Sequence, residues 1–204
     1  MNIKSKLYYF FVFSTAFVFF TPIGTLSHEY GHIIAAKILG YNSILHYGSM
    51  DIIGNEKSAF DSFMITLGGP LQTVLTGTIG FIGLILVKKK ESKYYFPVYY
   101  WGLIFISLFW LRQVFIVVVS VIKQIVKPNG FYFGGDEGEI SRVLNLPNGT
   151  ISIVLSILGM MIATYVIFRI VPKKIRYIFI ESALVGGVFG FILWMYIIGP
   201  KVLP

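Results

Sequence analysis

The chain has 204 residues, of which 56% are hydrophobic and 13% charged, with a mean hydropathy of +0.78. A water-soluble fold of this size cannot hide that much apolar surface, so the composition points to an integral membrane protein of one compact domain. The net charge of +8 belongs to short loops flanking apolar runs, which argues against a nucleic-acid partner, and the absence of cysteine removes disulfides, thiolate-bound zinc and thiol catalysis from this chain.

The first apolar run extends from about Leu7 to Leu39. At about 1.5 Å per residue it is too long for one bilayer crossing unless it bends or projects, and Pro22 and Gly24 are the natural points for a break or kink. Lys4 and Lys6 precede it as in a secretion signal, but no small-x-small cleavage site follows, so the segment is expected to be retained. Within the run lies His28-Glu29-Tyr30-Gly31-His32, an H-E-x-x-H motif. On a helix the two histidines fall one turn apart on one face. Two neutral imidazoles can then hold one zinc ion, while Glu29 stays free to take a proton from the water the metal activates. With three histidines in 204 residues, chance placement yields on the order of 0.001 such motifs.

Residues Tyr41 to Ala59 mix β-formers (Ile44, Leu45, Tyr47, Ile52, Ile53) with turn residues (Asn42, Gly48, Gly54, Asn55), which predicts a short hairpin. Further apolar runs follow at about Ser62 to Val87, Pro97 to Ile122, Thr150 to Val171 and Ile178 to Ile198. The glycines at 77, 80 and 83, and the pair Gly186 and Gly190, are spaced for helix packing. The expected fold is therefore an all-α polytopic membrane protein with about five transmembrane helices and a short β-hairpin after the first. It forms a single domain over residues 1–204, with a core at about 7–146 and two additional C-terminal transmembrane helices at about 150–198.

Five crossings place Lys4 and Lys6, the cluster Lys88, Lys89, Lys90 and Lys93, and Lys173, Lys174 and Arg176 on one face. The positive-inside rule assigns that face to the cytoplasm, putting the N-terminus inside the plasma membrane. The opposite face receives Asp51, Glu56, Asp61, Asp136, Glu137 and Glu139. His28 and His32, Gly69-Pro70 and Asp136 are then all expected on the outer side.

A catalytic zinc site needs a third protein ligand. The extended H-E-x-x-H-x-x-G-x-x-H pattern fails, because Ala35 and Ile38 stand at its later positions. Asp136 is the preferred ligand, since neighbouring glycines let its backbone approach a helix closely; Glu137 is its competitor. Arg112, inside the third run, is a functional candidate that either pairs with an acid near the metal or snorkels outward. Gly68-Gly69-Pro70 either packs a kinked helix or frees backbone groups to face a substrate.

On these residues the chain resembles the site-2 protease family of intramembrane zinc metalloproteases. The resemblance rests on His28-Glu29-x-x-His32 in the first core helix, Gly69-Pro70 in the next and Asp136-x-Gly138 after the third, and covers about residues 20–145. It implies one Zn2+ ion held by His28, His32 and Asp136, with Glu29 as general base. It also implies hydrolysis, within the lipid bilayer, of a peptide bond in a transmembrane segment of a membrane-protein substrate after that helix unwinds. The family's Asn three residues after the Pro is Thr73 here, with an amide at Gln72, and its Asp-Gly motif becomes Gly-Gly-Asp-Glu-Gly, which marks a divergent member. Gly69, Pro70, Gln72 and Thr73, together with Arg112, are the candidates for substrate positioning. Two other readings stay open: a non-proteolytic scaffold or regulator retaining a structural metal site, and a small cation transporter, against which the lack of an inverted repeat counts.

Overall fold

The computed structural model describes residues 1–54, 58–87, 97–126 and 133–203. Glu56 and the cluster Lys88, Lys89, Lys90 and Lys93 lie outside the described residues. Among the described residues the elements are α1 (Ile3–Ile38), β1 (Asn42–Leu45), β2 (Met50–Ile53), α2 (Ala59–Leu86), α3 (Val98–Val126), α4 (Asp136–Val143), α5 (Thr150–Ile170) and α6 (Arg176–Val202). All of these helices except α4 are long and apolar enough to cross a membrane, and they coincide with the five apolar runs. The strands pair antiparallel, Asn42 opposite Ile53 and Leu45 opposite Met50, so the expected hairpin is present. Ile79, Leu86, Met161 and Leu184 are among many large apolar side chains left exposed, a surface that lipid would cover.

Of the break or kink expected at Pro22, the break does not occur: α1 continues through it for 36 residues, about 54 Å at the α-helical rise. It must therefore tilt or project from a hydrocarbon core of about 30 Å. The proline removes the N–H that would bond Val18, and the hydroxyls of Thr21 and Thr25 donate to the carbonyls of Phe17 and Thr21, both at 3.0 Å. α4 lies in a polar, glycine-rich stretch that begins at Gly134-Gly135. Acids at 136, 137 and 139 in its first turn and Arg142 in its last complement the helix dipole.

The chain packs as two compact units: Met1–Glu56 with Ile167–Pro204, and Lys57–Val166. In the first, the Ser182 hydroxyl donates to the Phe10 carbonyl at 3.1 Å, Gly186 presses on the Ser14 backbone and Gly190 on that of Val18. Both helices advance by four residues together, so α1 and α6 run parallel, as the first and fifth spans of a five-crossing chain must. The edges and faces of Phe13 and Phe17 meet Phe179 at 5.2 and 5.3 Å between centroids, the favoured aromatic geometry. Parallel pairing in this register also puts Lys4 and Lys6 at the same end of the unit as Lys173, Lys174 and Arg176. Toward the other end, Trp194 donates its indole N–H to the Tyr47 carbonyl at 2.8 Å, and the Tyr47 N–H donates to the Leu203 carbonyl at 3.0 Å. These bonds pin the hairpin turn against α6.

The short connection into α6 is held by Arg176. Its guanidinium donates to the carbonyls of Ile167, Phe168 and Val171 at 2.9, 2.7 and 3.2 Å and lies 5.2 Å over the Phe168 ring. It thus satisfies carbonyls in the last turn of α5 and just beyond it, which the helix's own N–H groups do not reach. Replacing Arg176 with Met is expected to lower stability by about 1–3 kcal/mol, read as an earlier loss of helical circular dichroism on heating in detergent. An unchanged melt would refute this role.

In the second unit α2 and α3 run antiparallel with their backbones in contact. Gly77 faces the Trp110 ring, Gly80 the backbone of Ile106 and Ser107, and Gly83 the Leu103 side chain. Gly159 of α5 fits against the Trp110 carbonyl in the same way, and the rings of Phe81 and Tyr165 meet edge to face. The glycine stripe is therefore a packing feature, as its spacing suggested. α4 lies against α2 and α5.

Candidate metal centre

α1 turns a mixed face inward near its C-terminal end. His28, Glu29 and His32 are 1%, 7% and 6% exposed, with Gly31 and Ala36 buried on the same side, whereas Tyr30, Ile34 and Ile38 are exposed. The two imidazoles stand perpendicular, and their Nε2 atoms approach to 3.2 Å. Ligand-capable atoms of all three residues lie within 4.8 Å of one another. A tetrahedral ion with Zn–N bonds of about 2.0–2.1 Å separates two nitrogen ligands by about 3.3–3.4 Å. The observed separation is within about 0.2 Å of that edge, so the pair fits zinc without rearrangement of the helix. The same distance accommodates one N–H···N bond between neutral rings, the protonation state that binds metal.

Asp136 belongs to the second unit. It opens α4 immediately after Gly135, whose φ of 82° is open to glycine and strained for other residues. The turn is held from several sides. Phe133, 2% exposed, places its carbonyl against Gly138 and its ring against Gly149, where side chains would collide. Ser141 donates to the Glu137 carbonyl at 2.8 Å and accepts from the Ile151 N–H at 3.1 Å, tying α4 to the start of α5. Glu137 is fully buried, and its Oε1 lies 3.4 Å from Nη1 of Arg112. Arg112 is thus paired with an acid of its own unit, 25 residues further along the chain.

That pair also fixes depth within the unit. Arg112 is the midpoint of Val98–Val126, about 21 Å from either end of α3. α4 therefore begins level with the middle of α3. Gly69 and Pro70 are buried in the middle third of α2, as is Thr73, whose hydroxyl donates to the Gly69 carbonyl at 3.2 Å. The Gln72 amide donates to the Thr76 hydroxyl at 2.9 Å. Continuing the α2–α3 glycine register puts Arg112 level with Leu75, about one turn from this Gly-Pro segment.

The structure thus gathers the motif residues on α1 and, in the other unit, collects Gly69, Pro70, Thr73, Arg112 and the Asp136 turn at one level. His46 pairs with Asp51 at 3.2 Å within the hairpin. Sequence reasoning passed over Phe133 and Ser141, and treated Glu137 only as a rival ligand. The intramembrane arginine was the available signal that some acid must pair with it, without saying which. No protein-family model, curated protein or solved structure matches the chain.

Proposed function

We infer that the chain is a zinc-dependent endopeptidase of the site-2 protease type, cleaving a peptide bond in or near a transmembrane segment of a membrane-protein substrate. The observation that carries this reading is the buried His28–His32 pair with Nε2 atoms 3.2 Å apart and Glu29 beside it. Neither a helix-packing role nor a solvated surface calls for two imidazoles and a carboxylate on one buried face. His28 and His32 would hold the ion, with Asp136 the third ligand that the resemblance implies; Glu137 is paired with Arg112. Zinc, when bound, supplies Lewis acidity toward a water and a peptide carbonyl.

The chain's own residues supply the rest. Glu29 accepts a proton from the attacking water and delivers it to the departing amine. Its position in the turn between the two histidines keeps it within reach without using it as a ligand. Water must reach this buried face, and the substrate helix must unwind there, because an intact helix shields its carbonyls. The mid-span position of the Asp136 turn and of Gly69-Pro70 supports cleavage inside the bilayer. The shared end of Lys4, Lys6, Lys173, Lys174 and Arg176 supports a cytoplasmic N-terminus; the plasma membrane is the membrane we propose for it.

The test is metal analysis of detergent-purified wild type beside His28→Ala and Asp136→Ala. Wild type is expected to retain about one zinc per chain, the catalytic stoichiometry, and both variants to lose it. Zinc-free wild type, or full zinc in His28→Ala, would overturn the assignment.

A further inference from the structure

We propose that the start of α1 and the α5–α6 connection, at one end of the first unit, form a binding site for the headgroup of an anionic phospholipid. The proposal is independent of the metal centre and asks only that the helices lie in a bilayer. Lys4, Lys6, Arg169, Lys173 and Lys174 are all exposed, and none of them pairs with an acid among the described residues. They come from the two ends of the sequence, and packing unites them. The Ser182 hydroxyl meets the Phe10 carbonyl across 172 residues, and Gly186 and Gly190 meet Ser14 and Val18 at the same spacing. Carried back along both helices, that register sets Arg176 within about one turn of Lys4. The Arg176 guanidinium is occupied by the carbonyls of Ile167, Phe168 and Val171, which brings the last turn of α5, with Arg169, to the same place. Of the described acids in this unit, Glu29 and Asp51 belong to the hairpin end, and only Glu181 lies near the cations.

Such a charge surplus would attract any anion; its surroundings select a lipid. On α1, Lys4 is followed at helical spacing by Tyr8 and Phe11, and on the other side Lys173 and Lys174 are followed by Tyr177, Leu184 and Val188, all exposed. Each stripe passes from cation to tyrosine to hydrocarbon surface. A phospholipid has the same order, from phosphate through glycerol to acyl chain, and tyrosine favours the headgroup level. A soluble anion has no counterpart for the apolar part of either stripe. Orientation by positive charge requires only that the cations stay on one side of the membrane. It does not require two groups so distant in sequence to converge beside one helix pair. Each cation near the surface enriches anionic headgroups by about fivefold.

The experiment is native mass spectrometry of the full chain, purified in detergent and mixed with phosphatidylglycerol and phosphatidylcholine of identical acyl chains at equal concentration. Wild type is expected to retain phosphatidylglycerol with a preference of about fivefold or more. Lys4→Gln/Lys173→Gln should lose most of that preference, and Lys4→Arg/Lys173→Arg should keep it. Lys37→Gln/Lys201→Gln removes two exposed cations from the opposite ends of α1 and α6 and should bind as wild type does. Excess inorganic phosphate should leave the bound lipid in place. Four results would overturn the proposal. Equal retention of both lipids by wild type would mean that no anionic site exists. An equal loss in the Lys37 and Lys201 variant would reduce the effect to net charge. A loss in the arginine variant would make it structural, and displacement by phosphate would make it a free-anion site.

Discussion

Glu29→Gln is expected to lower turnover by about 10²–10⁴-fold, the usual contribution of a positioned general base, while leaving zinc bound at wild-type stoichiometry. The substitution keeps the shape of the side chain and removes only its ability to take a proton. Glu29 is 7% exposed, so bulk buffer is a poor substitute for it. His28 and His32, one turn apart on α1, keep their geometry in the variant, so a loss of activity cannot be ascribed to a loss of metal. The measurement compares membrane fractions from cells producing wild type or Glu29→Gln and follows truncated transmembrane fragments by quantitative mass spectrometry. Fragments that appear with wild type and persist undiminished with Glu29→Gln would remove Glu29 from the mechanism. A scaffold that keeps the metal as a clasp would show zinc in both proteins and fragments in neither.

Gly80→Leu is expected to be the most damaging single change to the fold among the described packing glycines of α2. A Cβ at position 80 would lie 2.5 Å from the Ser107 nitrogen and 2.8 Å from the Ile106 carbonyl carbon. Both are backbone atoms of a neighbouring helix, so they cannot rotate away as a side chain would. At Gly83 the nearest atom is the end of the Leu103 side chain, at 2.9 Å, which can change rotamer. Gly80→Leu should therefore cost about 3 kcal/mol or more, at the upper end of overpacking penalties, whereas Gly83→Ala should cost about 1 kcal/mol or less. Stepwise denaturation of purified protein, followed by circular dichroism, checks the ranking. Equal effects at the two positions would mean that α2 and α3 are not in backbone contact at Gly80.

Most of the secondary structure was legible because lipid imposes a simple rule. A segment that must satisfy all its backbone groups without water forms a helix, so each apolar run could be read as one element. The hairpin was legible from β-formers alternating with glycine and asparagine at Tyr41 to Ala59. α4 was not, because its eight residues carry polar side chains and no apolar period. Only its terminal charges mark it, and charges at helix ends are a weak signal in a loop already rich in them. The continuity of α1 through Pro22 was hidden for a related reason. Whether a proline breaks a helix depends on what surrounds the vacated carbonyl, and here the neighbours include Gly190 of α6, 168 residues away in the chain.

The candidate site divides along the same line. His28, Glu29 and His32 lie within five consecutive residues, and helical geometry alone puts the histidines on one face, so their chemistry follows from local spacing. The spacing of Gly77, Gly80 and Gly83 likewise announced a packing stripe, since three-residue steps stay on one side of a helix. The partner of that stripe and the partner of Arg112 depend on tertiary structure, because they join residues separated by a loop rather than by a helical turn. Glu137 is 25 residues beyond Arg112, and nothing local distinguishes it from Asp136 or Glu139. Burial does: only the folded unit brings that one carboxylate to the guanidinium at the middle of α3, where an unpaired charge would be costly. Local periodicity determined the motif and the spans; long-range packing decided which acid is clamped and how deep the Asp136 turn lies.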